Sequence, residues 1–110
     1  MTETALRRLS GLLGFSAILL GAIGAHAVPL GVMSTSFETA TKYQLLHALL
    51  LLYLSDKSKI GSLLIISGCV FFCGGIYLKA FTGNPIYTGL APAGGISFML
   101  AWLSLAFARN

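Results

Sequence analysis

Charged side chains are scarce in this sequence of 110 residues, of which 9% are charged and 56% are hydrophobic. Soluble domains usually carry about 25% charged residues, so the charges here are too few to cover a water-facing surface. The formal net charge of +4 does not indicate nucleic-acid binding, because the basic residues are scattered between apolar runs and form no basic stripe. The composition predicts an integral membrane protein whose partner is the lipid bilayer, with no nucleic acid.

Acidic residues are rarer still, and none lies inside an apolar run. The sequence contains Glu3, Glu38 and Asp56, each at a predicted helix end or in a loop. Small multidrug exporters of similar length need a carboxylate inside a membrane span to couple transport to ion movement. The positions of the three acids therefore argue against carboxylate-driven antiport.

Metal-ligating and nucleophilic residues are too few for the common active sites. Cys69 and Cys73 are four residues apart in an apolar run, where regular helix geometry does not favour a disulfide and free cysteine is typical of packing. His26 and His47 lie on different predicted helices without the HExxH spacing, and serine-nucleophile and phosphate-loop patterns are absent. We expect no catalytic residue, no metal, no cofactor and no enzyme activity.

The sequence does contain four long apolar stretches, and crossing a bilayer core of about 30 Å takes about 20 helical residues. The purely apolar part of the second stretch is short, but Thr35 and Glu38 fit the capping-box pattern and extend that helix to a spanning length. We predict one all-α membrane domain over residues 1–110, a compact bundle of four transmembrane helices. Its predicted spans are residues 9–28, 36–55, 60–81 and 91–108.

The basic residues are divided unequally between the two sides of such a bundle. The side that holds both termini has five basic residues, namely Arg7, Arg8, Lys57, Lys59 and Arg109. The other side has Lys42 and Lys79. By the positive-inside rule, both termini are predicted to be cytoplasmic, in a multi-pass protein of the cell inner membrane. Tyr77, near the predicted outer end of the third span, is expected in an interfacial aromatic belt.

Small residues recur on the first and fourth spans, where they are expected to let neighbouring helices approach closely. The predicted packing residues are Gly14, Ala17, Gly21, Gly24, Ala25, Gly94 and Gly95. The sequence contains no strict GxxxG motif. The pattern therefore predicts tight packing without specifying a dimer.

Residues 21–27, which read GAIGAHA, allow two interpretations of the first apolar run. In a cleaved signal peptide, Arg7 and Arg8 would be the basic region, residues 9–23 the apolar core, and the AHA of residues 25–27 the cleavage site. In a permanent anchor, the same small residues would pack against a neighbouring helix. The run is at the upper length limit for a signal peptide, and its removal would leave the basic residues less evenly balanced.

Polar residues at membrane depth are the default candidates for function. Four of them, on the first two spans, are His26, Tyr43, Gln44 and His47. Residues 43, 44 and 47 share one helix face, and His26 is expected to meet that face. Three hypotheses stay open: an interhelical hydrogen-bond cluster in which the four satisfy one another, a haem, quinone or other ligand site built on the histidines, and a proton or solute pathway.

Several motifs resemble those of a known family. They are GAIGAH at residues 21–26, FETA at 37–40, YQLLHA at 43–48, GGIY at 74–77 and APAGGISF at 91–98. Together they resemble the small YgdD/YwdK-type bacterial inner-membrane proteins, a domain of unknown function with small eukaryotic transmembrane relatives. The resemblance implies an uncleaved four-helix membrane protein and no established activity.

These observations lead to two functional expectations. The first is a small multi-pass membrane protein of unknown activity that acts as an accessory or scaffold subunit, with a membrane-protein partner or a second copy of itself. The alternative is a small transporter or ligand-binding membrane protein that uses the His/Tyr/Gln cluster between the first two helices.

Overall fold

The computed structural model describes residues 2–26 and 34–107, apart from the side chains of Ala25, His26, Ser34 and Thr35. The α-helices are α1 (Glu3–His26), α2 (Ser34–Leu54), α3 (Lys59–Gly68), α4 (Gly74–Thr82) and α5 (Ala91–Ala106). A π-helical segment covers Cys69–Cys73, and a 3-10 helix covers Pro85–Leu90. No β-strand occurs in these two ranges, and the predicted all-α class is confirmed.

The elements α3, the π segment and α4 follow one another without a break and act as one long helix, Lys59–Thr82. Ser58 caps its start, because the serine side chain accepts a hydrogen bond from the Gly61 N–H at 2.9 Å. Gly83 ends it in the left-handed conformation, with φ of 74°. Glycine is the usual residue at this position, since it adopts positive φ without steric cost.

The last helix is entered through the 3-10 helix, whose start is capped by Asn84. The Asn84 side chain accepts a hydrogen bond from the Ile86 N–H at 3.0 Å. Pro92 then lies in the first turn of α5, where a missing N–H costs no helical hydrogen bond. The chain therefore reverses direction between α4 and α5 through local hydrogen bonds alone.

Helix α2 is the central element of the fold. It packs along α1 on one side and against α3, the π segment and α4 on another, while α5 packs on α3 and the π segment. Leu51 of α2 is fully buried, as are Ile65 of α3 and Ala101 of α5. In contrast, Phe15 and Ile18 of α1 are about two-thirds exposed, at 65% and 66%, so the outer surface is apolar.

Three helices in the described part of the chain are long and apolar enough to cross a membrane: Glu3–Gly24, Lys59–Thr82 and Pro85–Ala106. Helix α2 is 21 residues long but falls outside this group, because its N-terminal half is polar. Thr41, Gln44 and His47 of that helix are buried by its neighbours. One face of the polar half of α2 is therefore covered by protein, while Glu38 and Lys42 lie exposed on another face.

The start of α2 was predicted from a capping box. The helix begins at Ser34, so Thr35 lies inside it. The Thr35 side chain is outside the described residues, and the box stays a prediction. The Glu38 carboxylate lies 3.1 Å from the Lys42 ammonium, an exposed ion pair one turn along α2.

The small residues differ in how closely their neighbours approach. Ala17 is buried at 3% exposure. A Cβ atom added to Gly24 would lie 2.6 Å from the Phe37 ring, and one added to Gly94 would overlap the backbone of Phe72. At Gly14, Gly21 and Gly95 the nearest atom would be 3.9 Å away, an ordinary van der Waals contact. The Ala25 side chain lies outside the described residues.

Candidate functional site

The Gln44 amide links three helices. Its Nε2 donates hydrogen bonds to the Leu13 carbonyl at 2.8 Å and to the Ser16 hydroxyl at 2.6 Å, both on α1. Its Oε1 accepts a hydrogen bond from the Tyr77 hydroxyl on α4 at 2.8 Å. Gln44 is 4% exposed, so the amide is buried between these helices. Both amide hydrogens and the amide oxygen are used within the protein.

The two residues of α1 that accept hydrogen bonds from Gln44 are also bonded to each other. The Ser16 hydroxyl donates to the Leu13 carbonyl at 3.2 Å while it accepts from Gln44. Leu13 and Ser16 therefore present one carbonyl and one hydroxyl oxygen to the same amide. Serine can make this local bond because a helical residue three positions earlier lies within reach of its side chain.

His47 connects α2 to α5. Its Nδ1 lies 2.6 Å from the Tyr43 carbonyl, and its Nε2 accepts the indole N–H of Trp102 at 3.0 Å. Its ring stacks on Phe98, with centroids 3.7 Å apart and planes 15° apart. Since tryptophan only donates, the imidazole is neutral and carries its proton on Nδ1. Both ring nitrogens are hydrogen-bonded to protein groups in this arrangement.

The predicted mutual cluster is not the arrangement of the described side chains. Gln44 and His47 bond to different partners, because residues three apart on an α-helix point about 60° away from each other. Tyr43 is 42% exposed and stacks on Phe72, with centroids 5.1 Å apart. The His26 side chain is outside the described residues, so its contact with α2 stays a prediction.

Sequence reasoning missed the partners of these two residues. Tyr77 was expected in an interfacial belt, which stays a prediction, and its hydroxyl bond to Gln44 was not foreseen. Ser16, Phe98 and Trp102 were not candidates for the cluster. Phe98 and Trp102 are four residues apart, which places them on one face of α5. This spacing was the one sequence feature that could have indicated a shared contact with α2.

The two cysteines are buried at the ends of the π segment, with exposures of 7% and 2% for Cys69 and Cys73. The Cys73 thiol donates to the Ala40 carbonyl of α2 at 3.4 Å. Both thiols line an open groove of about 260 Å³ between α1 and the π segment. Its other lining residues are Leu13, Ser16, Leu20, Gln44, Val70, Gly74 and Tyr77. The groove is apolar except for the Gln44 contacts.

Acidic groups and metal-ligating clusters are absent from this site. Glu3 and Asp56 form exposed ion pairs with Arg7 and Lys57 at one end of the bundle. No group of three or more histidine, cysteine, aspartate or glutamate residues close enough to hold a metal occurs in the described residues. The chemistry available around Gln44 and His47 is hydrogen bonding between helices.

Comparison with known proteins adds a family. Residues 20–95 match the family described as "Protein of unknown function (DUF423)". The UPF0382 membrane protein YwdK of Bacillus subtilis is 32% identical, with 84% of this chain and 85% of the relative covered. UPF0382 membrane protein SERP0230 of Staphylococcus epidermidis is 35% identical, with 91% of this chain and 90% of the relative covered. A UPF0382 membrane protein of Haemophilus influenzae is 30% identical, with 90% of this chain and 88% of the relative covered. No solved structure matches.

Proposed function

We propose, since the chain belongs to the DUF423 family of membrane proteins, that it is a non-catalytic accessory or scaffold subunit. In this proposal it crosses the inner membrane four times and keeps both termini in the cytoplasm. Family membership confirms the resemblance to the YgdD/YwdK-type proteins and supports an integral membrane protein. The family description assigns no activity.

The observation that carries the non-catalytic role is the complete pairing of buried polar groups. Among the described side chains, which do not include that of His26, no buried nitrogen or oxygen lacks a hydrogen-bond partner. A buried side chain that bound a substrate or transferred a proton would have to give up one of these bonds, which costs more at a buried site than at an exposed one. Gln44 and His47 instead use theirs to join α2 to α1, α4 and α5. Such bonds set helix register and contribute about 0.6–2 kcal/mol each.

The length and burial of α2 support the fourth span. A helix of 21 residues is about 32 Å long, which matches the thickness of the hydrocarbon core. Its uncharged polar residues Thr41, Gln44 and His47 are buried, and the exposed charges Glu38 and Lys42 pair with each other toward its N-terminal end. The polar half of α2 is thus compatible with a position inside the membrane.

Charge at one end of the bundle supports the proposed orientation. Arg7 at the start of α1 and Lys57 after α2 line the same pocket, so these two cations lie at the same end. Arg8 and Lys59 are close to them in sequence. By the positive-inside rule this end is cytoplasmic.

Reporter fusions test the four-span topology. Alkaline phosphatase fused after Asn84 is expected to be active, because that loop would lie outside the cytoplasm. The same enzyme fused after Lys57 is expected to be inactive, whereas green fluorescent protein fused there should fluoresce. Equal phosphatase activity at both sites would contradict the four-span arrangement.

Photo-crosslinking tests the accessory role. A photoreactive amino acid in place of exposed Phe15, Phe71 or Leu103 samples three outer faces in intact cells. One face is expected to give a single adduct of defined mass, identified by mass spectrometry as another membrane protein or a second copy. Lipid adducts alone from all three faces would contradict an accessory subunit.

The groove beside Gln44 supports ligand binding as a second candidate function. Ser16, Gln44 and Tyr77 line it together with apolar side chains, so it would suit a largely apolar molecule. A small molecule that co-purifies with the chain in a one-to-one ratio would favour this function over the first.

A further inference from the structure

A second, polar pocket opens at the end of the bundle where α1 begins and α2 ends. Its volume is about 280 Å³. The lining residues are Glu3, Arg7, Leu52, Tyr53, Ser55, Asp56 and Lys57. Two carboxylates and two cations therefore line one pocket. Neither Gln44 nor His47 belongs to its lining.

Within the described part of the chain, the charged groups of this pocket form two ion pairs. Arg7 Nη1 lies 3.7 Å from Glu3 Oε1, and Lys57 Nζ lies 3.2 Å from Asp56 Oδ1. The four side chains are between 50% and 62% exposed. Exposed ion pairs of this kind contribute little to stability, so a ligand can replace either partner at low cost.

The apolar wall of the pocket places it at the membrane surface in the proposed topology. Leu52 and Tyr53 belong to the last turn of α2 and are 45% and 50% exposed. Tyrosine is enriched at the level of lipid headgroups, where its ring contacts acyl chains and its hydroxyl contacts water. The Lys57 ammonium lies 4.3 Å from the centroid of the Tyr53 ring. Lipid headgroups and these four charges would thus share one layer.

We infer that this pocket binds the headgroup of a zwitterionic phospholipid that carries a primary ammonium, as phosphatidylethanolamine does. Its phosphate would contact Arg7 and Lys57, and its ammonium would contact Glu3 and Asp56. Two charges of each sign match a zwitterion better than an anionic headgroup. A primary ammonium donates hydrogen bonds to carboxylates, which a quaternary choline cannot do. The inference rests on the proposed membrane insertion.

Native mass spectrometry of the delipidated full chain in detergent tests this inference. The probes are phosphatidylethanolamine, phosphatidylcholine, phosphatidylglycerol and soluble glycerophosphoethanolamine. We expect phosphatidylethanolamine to be retained several-fold more than the other two lipids. Glycerophosphoethanolamine carries the same charges without acyl chains and is expected to bind weakly. Equal binding of the soluble compound and the lipid would overturn the lipid assignment.

Variants that neutralise the two carboxylates test whether the lipid binds at this pocket. Glu3→Gln with Asp56→Asn should reduce retention of phosphatidylethanolamine to the level of the other lipids, with no change in melting temperature because both side chains are exposed. Arg8→Gln with Lys59→Gln is the matched control, since both residues are exposed and lie outside the pocket lining.

The inference would also be overturned by equal retention of the three lipids by the unmodified chain, by preserved preference in the carboxylate variant, or by an equal loss in the control. Extraction of membranes with alkaline carbonate tests insertion separately. A chain that stays in the membrane but shows no headgroup preference refutes this pocket alone and leaves the proposed function standing.

Discussion

Replacing Gly94 with alanine is expected to destabilise the bundle by about 1–3 kcal/mol, the usual cost of overpacking a tightly packed contact. The added Cβ would overlap the backbone of Phe72 in the π segment. A flexible side chain could rotate away, but a helix backbone can move only if α5 separates from the π segment. The loss should therefore reach the whole α5 interface, including the stacking of Phe98 on His47.

Gly95→Ala is the matched control for this prediction. Its Cβ would lie 3.9 Å from the Phe72 ring, an ordinary contact. Alanine also favours helix over glycine by about 1 kcal/mol, so this variant should be as stable as the parent or more stable. Thermal unfolding in detergent, followed by far-ultraviolet circular dichroism, measures both variants. Equal melting temperatures for the two would show that α5 and the π segment are less closely packed than described.

Replacing Gln44 with leucine is expected to destabilise the protein by about 1–3 kcal/mol, because its half-buried partners lose their hydrogen bonds to a buried amide. The Tyr77 hydroxyl loses its acceptor, and the Leu13 carbonyl and Ser16 hydroxyl lose a donor. Leucine has a similar volume, so packing is largely preserved. The effect therefore measures the polar contact.

A double-mutant cycle with Tyr77→Phe isolates one arm of that contact. Once the tyrosine hydroxyl is gone, Gln44→Leu should cost less, by about 0.6 kcal/mol or more, since one of its bonds has already been removed. Tyr43→Phe is the control, because that side chain is partly exposed and stacks on Phe72 through its ring. Fully additive effects of Gln44→Leu and Tyr77→Phe would contradict direct coupling between them.

The helical class was predictable because it follows from composition. Long apolar runs with few charges leave the backbone no solvent to bond with, and helices satisfy the backbone locally. The same reasoning selected Gln44 and His47, as polar residues at membrane depth. Their partners were not predictable, because they depend on which helix faces each side chain. Trp102 is 55 residues from His47, and no local pattern encodes that distance.

The π segment helps to explain why the contact between Tyr77 and Gln44 was not predictable. Residues 69–73 read CVFFC and are all apolar, so no polar residue marks the change in helical phase. A π turn inserts one extra residue, which rotates everything after it by about 100° relative to a continuous α-helix. Tyr77 follows the segment directly, and its hydroxyl points to Gln44.

Because α2 packs between the other helices, its hydrogen-bond partners are synthesised partly before it and partly after it. The donors of Gln44 bond to Leu13 and Ser16, which leave the ribosome before it. Its acceptor oxygen pairs with Tyr77, and the Nε2 of His47 pairs with Trp102, both synthesised later. A nascent hairpin of α1 and α2 therefore carries two acceptors that only the later helices satisfy. These two acceptors stay without their partners until α4 and α5 have been synthesised.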